Sequence, residues 1–222
     1  MPRNLLLVLV LLLTTAVANA DKDLPAVSHD GLHLLPDTKV RAVYAKNGAD
    51  LSQYDKIALL DCYVAFKKNW RREHNQEVPF EERIDDKDMR KIRDKLSREF
   101  NKVFTEVLVT KGGHELGTQT TEGVLILRPA IVNLDVTAPD IMSPGMSETY
   151  VASAGSMTLY LELYDGKTGD IIVRIIDPEA AENVGIAQMS SSVTNRADAD
   201  RILRRWAELL NDHLAKATSA AK

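Results

Sequence analysis

Hydrophobic positions follow sharply different patterns along the chain. Leu5 to Leu13 is an uncharged apolar run, preceded by Arg3 and followed by small and polar residues ending Ala18-Asn19-Ala20. Residues 56–66, KIALLDCYVAF, are almost continuously apolar and are broken by Asp61. Such a run reads as an inner strand covered on both faces. From Met89, the residues Ile92, Leu96, Phe100, Val103, Phe104 and Val107 recur at three- and four-residue steps, which predicts a long amphipathic helix. Asp85 or Asp86 is placed to cap its first turn, and Gly112-Gly113 to stop it. Residues 123–136, GVLILRPAIVNLDV, predict a second strand. Pro129 has no N–H and needs a bulge or an unpaired site there.

Residues 149–164 and 170–177 predict a hairpin that turns at Asp165-Gly166-Lys167-Thr168-Gly169. In it Met157, Leu159, Leu161 and Leu163 alternate with Thr158, Tyr160 and Glu162, giving one core face and one wetter face. Residues 198–217 predict a final helix with Ile202, Leu203, Trp206, Leu209, Leu210 and Leu214 on one stripe. Between these elements lie less regular stretches. Residues 21–50 read as an extended lead-in with a short strand near Val40–Tyr44. Residues 67–84 read as a long polar connection, 137–148 as a loop marked by two prolines, and 184–189 as a further short strand. The order predicts an α+β fold: one mixed, mostly antiparallel sheet with two amphipathic helices packed on one face. The divisions are 1–20, a lead-in over 21–50, one domain over 51–217, and a frayed tail over 218–222.

The first 20 residues have the three parts of a cleavable secretory signal: a basic start, a short apolar stretch and a small-x-small site. The apolar run is too short for a spanning helix, which needs roughly 20 residues. No later segment is apolar enough to span a bilayer. The one cysteine, Cys62, lies far downstream, so a lipid anchor directly after the apolar run is not expected. The expected location is the bacterial periplasm, in solution. One cysteine also excludes an intramolecular disulfide, and about 200 mature residues bury enough core to do without one. The formal charge is −4, and loss of Arg3 takes it to about −5. That balance argues against general nucleic-acid binding, which depends on phosphate neutralisation.

Three segments, GADLSQYDKIALLD (48–61), GVLILRPAIVNLDVTAPD (123–140) and YVASAGSMTLYLELYDGKTGDII (150–172), together resemble the domain-of-unknown-function 3313 family. The likeness spans roughly residues 31–215. It implies a bacterial envelope protein of one domain. Many members are predicted lipoproteins; no cysteine for acylation follows the apolar run here, so a soluble periplasmic location is expected instead. It implies no reaction and no catalytic residues.

Candidate chemistry is sparse. Cys62 inside an apolar run is expected to be an inert buried thiol. Asp61 and Asp135 interrupt two strands, and a carboxylate is costly to bury unless paired. They are a candidate buried polar pair, with an exposed, loop-bonded placement as the alternative. His29 and His33 are too few for a zinc site, and there is no nucleotide-binding glycine motif; no cofactor and no metal are expected. Two stretches are candidate contact surfaces. Lys67, Lys68, Arg71 and Arg72 around Trp70 suit an envelope protein, or an anionic lipid or lipopolysaccharide surface. Ile141, Met142 and Met146 suit docking. The reading that follows is a non-enzymatic interaction module of the envelope. The alternatives are a carrier of a small apolar ligand, held between helices and sheet, and a hydrolase using Asp61 or Asp135.

Overall fold

The computed structural model describes residues 24–118, 121–136, 155–180 and 192–220. Its strands form one eight-stranded mixed sheet. They are His33–Leu34 (β1), Ala42–Ala45 (β2), Lys56–Leu59 (β3), Tyr63–Phe66 (β4), Glu115–Leu116 (β5), Val124–Asp135 (β6), Ser156–Asp165 (β7) and Ile171–Ala180 (β8). The order is β1-β2-β8-β7-β6-β3-β5, and β4 also pairs with β6. From β1 to β6 every pairing is antiparallel; β3, β4 and β5 add in parallel. The helices are Trp70–Glu77 (α1), Asp86–Thr105 (α2) and Ser192–Ala220 (α3). This is the α+β arrangement the periodicities predict, with a third, shorter helix.

The run 56–66 is two strands rather than one, and Pro129 sits opposite the break. Leu59 is the last residue of β3 paired to β6, at Leu127, and Tyr63 is the first of β4, at Ala130. Leu60 donates its N–H to the Leu127 carbonyl, so alternate residues of β6, Pro129 among them, turn their backbone groups to that side. A proline there has no N–H to leave unpaired.

The long helix begins as its sequence predicts. Asp85 accepts from the Asp88 N–H, and Asp88 accepts in return from the Asp85 N–H. This reciprocal box satisfies two donors at the first turn. At its other end α2 runs into a wider π-helical turn, Glu106–Lys111, and stops at Gly112-Gly113. A side chain at Gly112 would collide with Asn211 of α3, so that glycine lets the two helices close on each other.

The connection 67–84 contains α1, which the pattern did not predict. WRREHNQE has no apolar stripe. Only Trp70 is buried, stacked between Phe66 and His74. Asn75 secures the return of the chain by a bond in each direction to the Ile84 backbone. The lead-in is also more ordered than predicted. It supplies β1 and β2 and a small second core of Leu32, Ala42 and Tyr44. The expected strand at 184–189 lies outside the described residues.

The main core lies between the helices and one face of the sheet. Phe100, Phe104, Val103, Val107 and Leu108 meet Leu125, Leu127 and Ile131 of β6 and Leu159, Leu161 and Leu163 of β7. From α3 come Leu203, Trp206, Ala207, Leu210 and Leu214.

Candidate functional site

The alternation along β7 sends Leu159, Leu161 and Leu163 toward the helices, and the pairing puts Asp177, Ile175 and Val173 of β8 beside them. Val43 of β2 joins the same row opposite Ile175. Near the C-terminal half of α3 the packing against this floor is incomplete. A cleft of about 170 Å³ remains, roofed by Trp206, Leu209 and Leu210 and closed laterally by Val40 and Leu51. Its rim is formed by Leu35, Thr38, Lys39 and His213; Leu35, Lys39 and His213 are exposed. A void of this size lacks dispersion partners for its lining, and dry apolar cavities of roughly 150 Å³ take up benzene-sized molecules.

The one polar atom of Trp206 is turned away from the cleft. Its indole N–H donates to Asp177 Oδ2 at 2.8 Å. Asp177 is buried, accepts also from the Arg41 N–H at 2.8 Å, and lies 3.5 Å from the Arg205 guanidinium. It is therefore a pin between α3, β8 and the strand entry at β2. The indole presents carbon alone to the cleft.

The opposite face of the sheet carries a row of charge. Arg128, Glu162 and Arg174 are direct neighbours across β6, β7 and β8, and the row ends on Asp30 of the lead-in. Arg128 reaches Glu162 Oε2 at 3.1 Å, where the Tyr164 hydroxyl also donates at 2.8 Å. Arg174 donates to Glu162 Oε1 from Nε at 3.1 Å and from a terminal nitrogen at 2.8 Å. It then grips both carboxylate oxygens of Asp30. Glu162 and Arg174 are 4% and 6% exposed, so each requires its partners. The Arg174 guanidinium holds the Asp30 carboxyl well below the usual carboxylate range, and Asp30 in turn raises Arg174. Three hydrogen bonds and the Arg128 ion pair thus engage both carboxylate oxygens of Glu162.

The sequence-predicted residues fall elsewhere. Trp70 is 4% exposed and is a core residue, not a surface anchor; stacking on Phe66 accounts for its burial. Around it Lys67, Lys68, Arg71 and Arg72 are exposed. Lys67 is bound to Asp135 at 2.9 Å and lies 3.7 Å from Glu73, and Arg71 pairs with Asp86. Ile141, Met142 and Met146 lie outside the described residues.

Asp61 and Asp135 do not form a buried pair. Asp61 is exposed and accepts from Asn101 of α2 at 2.9 Å, while Asp135 accepts from Lys67. The register explains why. Asp61 precedes Tyr63, which pairs with Ala130, whereas Asp135 ends β6. About six residues of strand, roughly 20 Å, separate their levels. The two cannot share a proton or a cation. Cys62 is buried, and burial pushes its thiol up to about 12, as expected of an inert position.

The residues that make the cleft and the charge row were not singled out by sequence reading. Glu162 and Arg174 each lie between apolar neighbours in the middle of a strand, which is the available signal for a buried charge pair. Nothing comparable marks the cleft, since a stripe that lines a void looks the same as one that fills a core.

A mixed sheet under two long helices, with a void between α3 and the sheet, defines an α+β domain with a ligand-sized apolar cleft. The chain belongs to the protein family of unknown function DUF3313, whose family model matches residues 33–210. No curated protein matches it. Among solved structures it is similar to a PelC dodecamer from Paraburkholderia phytofirmans, at 11% identity over 75% of this chain and 95% of that one, with a TM-score of 0.38. A variant of the same dodecamer gives 10%, 76%, 95% and 0.40. A neuraminyllactose-binding hemagglutinin homolog from Helicobacter pylori gives 14% identity over 76% and 92%, with a TM-score of 0.31. Likeness this low carries neither the assembly nor the ligand of those proteins across. Among the described residues no helix is long and apolar enough to cross a membrane.

Proposed function

We propose that this is an exported, non-enzymatic binding protein of the bacterial cell envelope that holds an apolar ligand between α3 and the sheet. The observation that carries the reading is the cleft. It is lined by aliphatic side chains and one indole and bordered by exposed residues. Among the described residues no carboxylate lines it, the buried carboxylates Glu162 and Asp177 are engaged elsewhere, and Cys62 is held as a thiol. These features favour binding over hydrolysis. Export rests on the signal-like residues 1–20, and release into the periplasm rests on the absence of a cysteine after the apolar run.

Two measurements test this. Cell fractionation with mass determination of the mature chain is expected to give a periplasmic protein beginning near Asp21; a chain retaining Met1–Ala20 refutes export. For the cleft, the protein is titrated with a fluorescent apolar probe, and Val173→Phe, which puts a ring into the void, is expected to abolish binding without loss of thermal stability. Equal binding by the wild type and the filled variant refutes the cleft as the site. A contact role for Lys68 and Arg72, which make no ion pair with another described residue, is a second reading. It is favoured only by their exposure on α1 and the turn before it.

A further inference from the structure

Resting on that reading, we infer that the cleft takes a single-chain amphiphile with an anionic head: the hydrocarbon end lies over β7 and β8, and the head meets Lys39 at the rim.

The inside of the cleft sets the chemistry of the buried end. Leu161, Leu163, Val173, Ile175 and Leu210 offer only carbon. Trp206 has spent its N–H on Asp177. A sugar, a nucleotide base or a peptide group placed there would lose its hydrogen bonds to water and find none in return. The buried end is therefore hydrocarbon.

The size sets its extent. A void of about 170 Å³ is comparable with cavities that admit one benzene. That is space for a short stretch of one chain and not for the paired chains of a bilayer phospholipid. The remainder of the ligand must leave through the rim.

The rim sets the charge of the head. Among the described residues its lining holds one cation, Lys39, one imidazole, His213, and one hydroxyl, Thr38, with no carboxylate. Thr38 already donates to the Val40 carbonyl at 2.8 Å. Lys39 makes no ion pair with another described residue, whereas the neighbouring Arg205 is committed to Asp177 and Glu179. Asp37 and Asp212 adjoin the rim in sequence but do not line the cleft. An anion leaving the cleft meets an available ammonium group there, and a cation meets a like charge.

Three ligands of one chain length test this on the mature protein by titration calorimetry at low salt: octanoate, 1-octanol and octylamine. Octanoate is expected to bind about threefold more tightly than octanol, the size of a solvent-exposed ion pair, and octylamine more weakly than octanol. Lys39→Glu is expected to reverse the order of octanoate and octylamine and leave octanol unchanged. Lys39 is exposed and outside the core, so the variant folds; its circular dichroism and melting temperature check that. Equal binding of all three, unaltered in Lys39→Glu, overturns the anionic head and leaves the apolar cleft standing. No binding of any of the three overturns the cleft reading itself.

Discussion

Along β7, Leu159, Leu161 and Leu163 face the helices and are almost fully dry, while Thr158, Tyr160 and Tyr164 on the other face remain partly exposed. Among the described residues the helix side buries mostly carbon against carbon, with Asp177 the charged exception, and leaves the cleft. The other side is covered only in part, by the lead-in, and it buries a charged row, Arg128–Glu162–Arg174–Asp30. The two faces reach order by different physics. On the first, removing volume is the damaging change. On the second, removing one charge is, because it strands another. The proposed binding cleft falls on the face where aliphatic packing dominates, and its unfilled volume leaves the lining without partner atoms that a guest could supply.

This contrast is sharpest in a pair of substitutions. Phe104→Ala removes a fully buried ring between α2 and the sheet and is expected to cost about 3–5 kcal/mol. Arg174→Met keeps volume but leaves Glu162 buried beside one remaining guanidinium and releases Asp30. It is also expected to cost about 3–5 kcal/mol. Urea unfolding followed by tryptophan fluorescence reads both. A cost under about 1 kcal/mol for Arg174→Met would mean that the Leu32–Tyr44 cluster, not the charge row, holds the lead-in.

Next in size is an acid-side effect confined to the charged face. Asp30 has its carboxyl lowered by Arg174 and by Ser28. A lowered folded value adds stability above the ordinary carboxylate pKa of about 4, and that stability is lost as pH falls toward the folded value. Asp30→Asn lacks it throughout. The variant is expected to be the less stable at pH 7, and the two melting temperatures should converge as pH falls below about 4. Parallel curves across that range would remove Asp30 from the row.

A smaller change isolates one hydrogen bond of the row. Tyr164→Phe deletes the hydroxyl that Glu162 accepts and keeps the ring beside Arg128. The expected loss is about 1.5–3 kcal/mol, the range for a bond to a charged acceptor. It should disappear in an Arg174→Met background if the row acts as a unit, which a double-mutant cycle measures.

Much of the fold was legible because most elements carry one dominant period. The stripes of α2 and α3 and the alternation of β7 needed no tertiary information. The helix α1 was hidden, since only Trp70 of its eight residues is apolar and one buried side chain makes no stripe. The charge row was hidden by a single residue. The hairpin closes from the Asp165 N–H to the Asp170 carbonyl, and with regular pairing from there Glu162 would face Val173. A bulge at Ile172 shifts the register by one, so that Tyr164 pairs with Ile171 but Glu162 with Arg174. A one-residue shift moves every later side chain to the other face, and composition does not reveal it.

The two aspartates that drew attention in the sequence give the smallest expected effect, and they complete the comparison. Asp61 and Asp135 interrupt apolar runs much as Glu162 and Arg174 do, yet they sit where the strands break or end. Asp61 lies in the gap between β3 and β4, and Asp135 is the last residue of β6. Strand ends give a carboxylate access to water, and the middle of a row across three strands does not. Asp61→Ala and Asp135→Ala are each expected to stay within about 0.5 kcal/mol of wild type, as for surface positions. Asp135→Ala forfeits only an exposed ion pair with Lys67, which contributes little. A loss above about 2 kcal/mol for either in urea unfolding would mean that these strand ends are closed to water. In that case position along the strand would no longer explain why one charge on this sheet needs partners and another does not.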